Sequence, residues 1–550
     1  MADLKNPLDA ATLPEAIERS ARLGRPGLVF HSSGKTDVLT PTDAVGAAER
    51  GARWLASLGV TPGDRVGVLG PNALPWAASA ASIWRLGATL VPIPYTLIGE
   101  RQHQSEQIAA IVERLQCRLV LAAPQMLDLV PCGARASWSD VADCGLALPP
   151  PPDAEDVAVL LLSSGSTAAP KGILLPHRSV MASIRSAAQA MRSPEGGHRA
   201  VGWLPYFHDF GLFAFLARPL VAGIETHMMS LEQFVMDPLD WWRLVGKVRA
   251  TYTGAPPSAW VLAAREAQST SDSLDLSSLD SCSMGAETTS AETLALVRAE
   301  TGRFGMSREA LFVTYGLAEA TLGVTGWPGE PARIDEISKT STADAGEARP
   351  ARAGEARKLV VSCGRPLPSA EIRIVGDLGA LPERMIGEIH VRMPSLMRGY
   401  VGTETPHPIS DGWLRTGDLG YTADGHLYVT GRLKDIVIVM GCNYAAEDLE
   451  WTASGVSGVR RGRSVAFSKP DSDDTEAVVL VEMSDGADAR AVAQKVKREI
   501  LTEVGSMPLE VVVVARGSIA KTTSGKLRRS AMKSAYAAGS LAVLYSTAAN

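Results

Sequence analysis

Most of the chain alternates short β-rich runs with longer, alanine-rich segments that have helical spacing. Residues 65–69 (RVGVL) are typical of a strand, whereas residues 43–58 carry small and apolar side chains on one helical face. Alternation of this kind predicts an α/β fold with largely parallel sheets flanked by helices. Because 550 residues exceed what one hydrophobic core normally supports, we expect two or more domains.

The composition argues against several classes of protein. Hydrophobic residues make up 46% and charged residues 21%, and the formal net charge of −6 gives no reason to expect nucleic acid or an anionic membrane as a partner. The apolar runs have strand length, well short of the roughly 18 residues that a membrane helix needs. The six cysteines form no CxxC pair, and the N-terminus does not resemble a signal peptide. We therefore expect reduced thiols, no membrane insertion and a cytoplasmic location.

Three changes along the chain predict its organisation. Residues 148–153 (LPPPPD) form a proline linker that can be neither helix nor central strand. Residues 335–358 are rich in Ala, Glu, Arg and Gly and predict a polar surface insertion. Near Gly431 the pattern becomes a compact β/α one that runs to about Ala537, before an Ala/Ser-rich tail. We expect a large domain over 1–431 and a small α+β domain over 432–550.

The strongest local signal is residues 157–172 (VAVLLLSSGSTAAPKG), where an apolar strand runs into a loop of small residues. Small residues let backbone N–H groups approach an anion, hydroxyl groups add donors, and a lysine adds charge. The loop differs from a Walker loop, because Pro170 rather than glycine precedes the lysine. Taken alone it could be a triphosphate-binding loop or a flexible surface loop. The candidate phosphate-binding residues are Ser163, Ser164, Gly165, Ser166, Thr167 and Lys171.

Residues 163–172 resemble the phosphate loop of the adenylate-forming superfamily, which includes acyl-CoA synthetases, luciferases, nonribosomal adenylation domains and fatty acyl-AMP ligases. Further motifs of that superfamily follow in the right order as far as Arg529, so the resemblance covers most of the chain. The segments GWLPYFHDFGL at 202–212 and VTYGLAEAT at 313–321 are more similar to fatty acyl-AMP ligases than to CoA ligases. A polar stretch over about 326–362 resembles an insertion specific to fatty acyl-AMP ligases, which is held to restrain the C-terminal domain and disfavour CoA.

The resemblance implies how ATP and Mg²⁺ would be bound. Tyr315 would stack on the adenine, Asp418 would accept ribose hydroxyl groups, and Glu319 would coordinate Mg²⁺ through a hard carboxylate oxygen. Without the resemblance, these segments would be read as ordinary strand-to-loop junctions and polar turns. The residues that it assigns to adenine and ribose are Gly285, Ala286, Glu287, Tyr315, Gly316, Asp418 and Arg432.

The resemblance also implies the catalytic residues. Lys526, within IAKTTSGKLRR at 519–529, matches the lysine that contacts the substrate carboxylate and the α-phosphate during adenylation. His208 would steer or shield the substrate carboxylate; it is not needed as a general base, because a carboxylate is already ionised at pH 7. Lys434 would stand at the hinge about which the small domain rotates.

The fatty acid would need an apolar pocket. Met229, Phe234 and Trp241 lie in an apolar stretch similar to those that contribute to the acyl tunnel in this family, since soft thioethers and flat rings suit an alkyl chain. Ordinary core packing explains each of these residues equally well.

Together these assignments predict an enzyme that activates a medium- or long-chain fatty acid with ATP and releases pyrophosphate. The acyl group would then pass to the phosphopantetheine thiol of an acyl carrier protein, with free CoA an unlikely acceptor. Two alternatives stay open. One is a CoA ligase for a medium-chain or aryl acid, and the other is a weakly catalytic, nucleotide-binding partner protein in a biosynthetic assembly.

Overall fold

The computed structural model describes residues 6–32, 34–97, 100–162, 171–191, 197–401, 408–439, 442–470, 472, 476–504, 507–521 and 527–548. Its α-helices are α1 Leu13–Arg22, α2 Pro41–Ser57, α3 Leu74–Leu86, α4 Arg101–Arg114, α5 His177–Ala190, α6 Arg218–Ala222, α7 Leu231–Met236, α8 Leu239–Val248, α9 Pro257–Ser269, α10 Ala291–Arg303, α11 Lys339–Ala345, α12 Ala446–Gly455, α13 Ala489–Val504 and α14 Arg529–Ala537. A π-helix, Phe210–Ala217, leads directly into α6.

The first strands are β1 Leu28–Ser32, β2 Lys35–Leu39, β3 Arg65–Leu69, β4 Thr89–Pro92, β5 Leu119–Ala122, β6 Arg135–Ser137, β7 Val157–Leu162, β8 Gly172–Pro176, β9 Arg199–Gly202, β10 Glu225–Met228, β11 Tyr252–Ala255, β12 Ser281–Met284, β13 Leu311–Val313, β14 Tyr315–Gly316 and β15 Gly323–Thr325. The later strands are β16 Ile334–Ser338, β17 Arg357–Val361, β18 Glu371–Gly376, β19 Gly379–Ala380, β20 Gly387–Arg392, β21 Gly399–Val401, β22 Ile409–Ser410, β23 Trp413–Ala423, β24 His426–Arg432, β25 Ile436–Val439, β26 Cys442–Ala445, β27 Val459–Ser468, β28 Ala477–Met483, β29 Leu509–Val514 and β30 Val543–Ser546.

Two seven-stranded sheets dominate the first part of the chain. One has the order β13-β12-β11-β9-β10-β1-β2 and is parallel except for the edge strand β2. The other has the order β21-β8-β7-β4-β3-β5-β6, with β8 and β21 antiparallel to their neighbours. The predicted α/β class, with parallel-rich sheets flanked by helices, is confirmed.

The helix that the sequence indicates over 43–58 forms as α2, and its ends follow from local chemistry. Thr40 caps the first turn, since its hydroxyl accepts from the backbone N–H of Asp43 at 3.1 Å and the Asp43 carboxylate accepts from the backbone N–H of Thr40 at 3.1 Å. On the buried face α2 packs against α3. At Gly51 a β-carbon would lie 2.1 Å from the Ser82 hydroxyl oxygen, so only glycine allows the two helices to approach so closely.

A third, antiparallel sheet carries two of the candidate nucleotide-binding residues. Its order is β19-β18-β20-β23-β22, and β24 pairs with β23 so that Asp418 lies opposite Arg432. The predicted insertion lies beside this sheet as the hairpin β16–β17 with α11 between its strands. Ile337 and Ala348 of the insertion are fully buried against Tyr421 of β23, which anchors the insertion to the sheet.

The C-terminal part of the chain has its own four-stranded sheet, β27-β28-β29-β30, in which β28 and β29 are parallel. Alternate residues of β28 and β29 face α12 and α13 on one side and α14 on the other. The main core draws on residues from Ala10 to Leu427, whereas this second core runs from Val437 to Val513. The two cores support a domain boundary near residue 431, which stays a prediction. The tail after Ala537 contributes β30, which its Ala/Ser-rich composition did not indicate.

Among the described residues, no helix combines the length and the apolar character that a membrane span requires.

Candidate active site

The candidate site lies at the carboxyl ends of the parallel strands of the first sheet. His208 follows β9, the 285–287 element follows β12, and Tyr315 follows β13. Because the carboxyl ends of parallel strands meet at one edge of a sheet, motifs that are distant in sequence converge there. Ligands of open α/β sheets bind at this edge.

Tyr315 and Arg432 both contact the Asp418 carboxylate. The Tyr315 hydroxyl donates to Oδ2 of Asp418 at 2.7 Å across 103 residues of sequence, and Nε of Arg432 lies 2.7 Å from Oδ1. The Tyr315 and Asp418 side chains are buried, and burial together with the charge of Asp418 raises the pKa of Tyr315 well above its ordinary value. Tyr315 therefore stays a hydrogen-bond donor, and its hydroxyl together with the Arg432 side chain fixes the position of the Asp418 carboxylate.

A second group of side chains surrounds Glu319, which sits in the short 3₁₀ turn Ala318–Ala320. Its Oε1 accepts from the Tyr400 hydroxyl at 2.8 Å, and Nζ of Lys171 lies 4.6 Å from the centre of the Tyr400 ring. Burial and the positive charge of Arg432 lower the pKa of Lys434, and the charge of Lys171 acts in the same direction. The predicted hinge lysine is thus in electrostatic range of both groups of side chains.

Tyr400 is a site residue that the sequence reasoning missed. It lies on the short strand β21, which pairs with β8, the strand that follows Lys171. This antiparallel pairing brings Tyr400 to Glu319 from 81 residues away. No pattern around residue 400 indicates that pairing, so the local sequence held no signal for it.

The backbone at the two candidate adenine elements leaves no room for larger side chains. A β-carbon at Gly285 would lie 2.2 Å from Oγ1 of Thr314, and one at Gly316 would lie 2.1 Å from the carbonyl oxygen of Leu322. Ala286 has φ of 71°, in the left-handed region that residues with a β-carbon rarely adopt. Strained backbone of this kind is concentrated at functional sites.

Glu287 faces two other parts of the chain. Its carboxylate accepts from the backbone N–H and the hydroxyl of Ser258, at 3.2 and 3.0 Å, at the start of α9. Burial lowers the pKa of Lys521, while the charge of Glu287 acts to raise it. Lys521 belongs to the C-terminal part of the chain and pairs with Leu527 across an isolated β-bridge. The two ends of the segment that carries Lys526 are therefore joined to each other, and one of them lies within range of Glu287.

Two sets of predicted residues lie outside the described part of the chain. They are the loop residues Ser163, Ser164, Gly165, Ser166 and Thr167, and the predicted catalytic Lys526. Their roles stay predictions, although Lys171 at the end of the loop is placed beside Tyr400.

His208 lies just before the π-helix, half-buried at the end of the segment that leaves β9. Its ring centre is 4.7 Å from that of Phe207, and its carbonyl oxygen accepts from the backbone N–H of Leu212 at 2.8 Å. Gly211 makes this turn possible, since a β-carbon there would lie 2.1 Å from the carbonyl oxygen of Pro205. π-Helical turns occur frequently at functional sites, and the role of His208 stays a prediction.

The residues proposed for the acyl pocket are buried in the main core. Met229 and Phe234 are 3% and 4% exposed, and Trp241 is fully buried. Phe234 stacks on Trp203 with ring centres 3.7 Å apart, and Nε1 of Trp241 donates to Oγ1 of Thr253 at 2.8 Å. The packing of these side chains agrees with the alternative explanation that they are ordinary core residues. Their role in an acyl pocket stays a prediction.

The Mg²⁺ site can be tested only against the chemistry of its donors. Among the described residues there is no cluster of three or more His, Cys, Asp or Glu side chains that could hold a metal ion alone. The Glu319 carboxylate is half-buried and accepts from the hydroxyl of Tyr400, whose ring also contacts Lys171. One carboxylate with further oxygens from a nucleotide is the usual arrangement for Mg²⁺, so the donor set fits.

Comparison with known proteins agrees with this geometry. Residues 18–401 match the family model described as AMP-binding enzyme. The long-chain-fatty-acid–AMP ligase of Mycobacterium marinum is 31% identical over 86% of this chain and 87% of its own. A medium-chain-fatty-acid–[acyl-carrier-protein] ligase of Moorena producens is 33% identical over 75% of this chain and 72% of its own. A Caulobacter vibrioides protein named as an acyl-CoA synthetase is 33% identical over 89% of this chain and 88% of its own.

A solved structure is also closely similar. It comes from a study of fatty acyl-adenylate ligases from E. coli and L. pneumophila, with a TM-score of 0.87, 28% identity, and coverage of 96% of this chain and 99% of that one. The chain belongs to the AMP-binding enzyme family and, within it, to the fatty acyl-AMP ligases. It is an adenylate-forming ligase that uses ATP, and the family resemblance predicted from its motifs is confirmed.

Proposed function

We propose that this enzyme joins a medium- or long-chain fatty acid to AMP and then transfers the acyl group to the phosphopantetheine thiol of an acyl carrier protein. The observation that carries the proposal is the pair of side-chain groups, Tyr315–Asp418–Arg432 and Glu319–Tyr400–Lys171, which come from separate sheets and are both within electrostatic range of Lys434 or its neighbour Arg432. A buried carboxylate, a phenol and three charged groups at this place suit a nucleoside triphosphate.

In the first step a carboxylate oxygen of the fatty acid attacks the α-phosphorus of ATP, and the bond to the bridging oxygen breaks to release pyrophosphate. The protein supplies position and charge rather than a covalent nucleophile. Asp418 accepts ribose hydroxyl groups, while Lys171, Arg432 and Lys526 offset the negative charge that develops at phosphorus. Glu319 would hold Mg²⁺, which would supply positive charge to offset the negative charge of the phosphate groups.

In the second step the thiol gives its proton to solvent, its sulfur attacks the acyl carbonyl carbon, and the bond from that carbon to the phosphate oxygen breaks, so that AMP leaves. Rotation of the C-terminal part about Lys434 would exchange Lys526 for the incoming thiol.

The choice of a carrier protein over free CoA is supported by contacts of the insertion. Lys358 on β17 pairs with Asp448 on α12 at 2.5 Å, and Lys339 at the start of α11 pairs with Glu503 on α13. Both pairs join the insertion to the C-terminal part of the chain, so they oppose its free rotation. A protein that docks from outside can offset this restraint with its own contacts, whereas free CoA has fewer contacts to offer.

A CoA ligase is the second candidate, favoured by the similarity to the Caulobacter vibrioides protein. The test is to incubate the enzyme with ATP, Mg²⁺ and saturated fatty acids, with no thiol, with free CoA or with a carrier protein that bears a free phosphopantetheine thiol, and to identify products by mass. We expect acyl-AMP without a thiol, no change with CoA, and acyl transfer to the carrier. Efficient formation of acyl-CoA would overturn the choice of acceptor, and a lack of acyl-AMP would overturn the whole proposal.

A further inference from the structure

A buried ionic cluster lies in the C-terminal part of the chain, and one of its members, Asp435, follows the candidate ribose-binding residue Arg432 by three positions. Its centre is Arg529, the first residue of α14, whose side chain is 15% exposed. Nε and Nη2 of Arg529 donate to the two carboxylate oxygens of Glu450, both at 2.7 Å, and Nη1 donates to Oδ2 of Asp435 at 2.7 Å. Glu447 adds a contact at 3.0 Å to Nη2. One guanidinium therefore holds three carboxylates, which we call the Arg529 cluster.

The cluster contains more negative charge than a structural ion pair requires. Glu450 alone engages Arg529 through both of its oxygens, and Oε1 also accepts from the backbone N–H of Ala466 at 3.1 Å. Burial raises the pKa of Glu450 to about 7 and also raises the pKa of Glu447. Adding Asp435, which is 8% exposed, increases the charge that must be kept out of water. Burying three carboxylates costs free energy, and the Glu450 contact alone would hold α12 against α14. The additional contact with Asp435 therefore calls for another reason.

The position of Asp435 in the chain supplies that reason. Asp435 ends the 3₁₀ turn Leu433–Asp435 and directly follows Lys434, the proposed hinge. Arg529 follows the segment that ends at Leu527 and carries Lys526. The 2.7 Å contact thus spans 94 residues of sequence and joins the hinge turn to the base of the lysine segment.

We propose that Asp435 and Arg529 are positioning residues that fasten the lysine segment to the hinge turn, so that a rotation at Lys434 and the placement of Lys526 occur as one rigid movement. This inference rests on the roles given to Lys434 and Lys526 in the proposed function. Arg529 suits the task because its planar fork fixes direction as well as distance, which a lysine ammonium cannot do. Neither residue acts on substrate directly.

The decisive variant is Asp435→Asn, which removes the negative charge from the contact with the hinge turn and leaves at most one neutral hydrogen bond there, while the two-pronged Arg529–Glu450 contact stays in place. We expect the single-turnover rate of acyl-AMP formation to fall at least tenfold, with the KM for ATP within threefold of wild type and the melting temperature little changed. Glu447→Gln is the matched control, because it alters a contact to the same guanidinium that does not reach the hinge. Its rate should stay within twofold of wild type.

A mutant cycle with Lys526→Ala separates positioning from simple destabilisation. If Asp435 acts through Lys526, then adding Asp435→Asn to Lys526→Ala slows the reaction by less than twofold further, because the group being positioned is already gone. A full additional tenfold loss in that background would overturn the inference, as would a wild-type rate for Asp435→Asn alone. Absence of acyl-AMP formation by the wild-type enzyme would instead count against the proposed function.

Discussion

Replacing Asp418 by asparagine tests the centre of the candidate site while keeping the shape of the side chain. In the structure one Asp418 oxygen accepts from the Tyr315 hydroxyl and the other faces Nε of Arg432, each at 2.7 Å. The amide oxygen of the introduced asparagine could still accept one hydrogen bond, but the negative charge would be lost. Asp418→Asn therefore separates the role of the charge from the role of the geometry.

The expected size of the effect follows from these contacts. Hydrogen bonds to charged groups contribute about 1.5–3 kcal/mol, against about 1 kcal/mol for neutral ones. The side chain of Arg432 is 44% exposed, so water screens part of its loss. We expect unfolding free energy to fall by about 1–2 kcal/mol. If the same carboxylate also accepts ribose hydroxyl groups, kcat/KM for ATP should fall by about 30- to 150-fold, the equivalent of about 2–3 kcal/mol.

The assay is pyrophosphate release at varied ATP concentration and saturating fatty acid, together with thermal unfolding of each variant. Tyr315→Phe removes one hydrogen bond to Asp418 and leaves the pair with Arg432, so its loss should be several times smaller. Asp377→Asn, on the exposed turn between β18 and β19, is the matched control and should behave as wild type. A folded Asp418→Asn enzyme whose kcat/KM for ATP lies within threefold of wild type would refute this account of nucleotide binding.

Three other predictions test separate parts of the molecule. Lys526→Ala should slow acyl-AMP formation by about two to three orders of magnitude, the scale of a lost charge-stabilising donor, and near-normal pyrophosphate release would contradict its assignment. Reversing both insertion charges with Lys339→Glu and Lys358→Glu should turn two attractions into repulsions and increase acyl-CoA formation with free CoA, measured by mass; an unchanged lack of acyl-CoA would count against the restraint. Burial lowers the pKa of His177 to about 4, below its ordinary value of 6.5, so the unfolded chain binds this proton more readily. Stability should therefore fall as the pH drops from about 6.5 to about 4, by about 3 kcal/mol from this residue. His177→Asn keeps an acceptor for the backbone N–H of Leu13 and should lose that part of the pH dependence in denaturant titrations; identical pH profiles for the two proteins would refute it.

Much of the fold could be predicted because short-range sequence patterns determine where its helices and strands form. Residues 65–69 form β3 as their apolar run indicates, and α2 begins where Thr40 and Asp43 form a capping box. The α/β class follows from how such segments alternate along the chain. The β30 strand in the tail was not indicated, since its partner β29 rather than its own composition fixes it.

The candidate site, like the fold, could be predicted only in part. The resemblance to the adenylate-forming superfamily proposed Tyr315, Glu319 and Asp418 as nucleotide- or metal-binding residues, whereas their segments alone would be read as ordinary junctions and turns; these roles stay predictions. The sequence could not show that Tyr400 contacts Glu319, or that Arg529 contacts Asp435.

What the sequence determined by itself is therefore the class of fold and, through the resemblance of its motifs, the family, together with a set of candidate site residues. Only the tertiary structure decided which of these groups touch: Tyr315 with Asp418 across 103 residues, Arg432 with Asp418 through the register of β23 and β24, and Lys358 with Asp448 between the insertion and the C-terminal part. The physical reason is that a local pattern sets the state of a segment, whereas pairing between segments depends on how all of them pack at once.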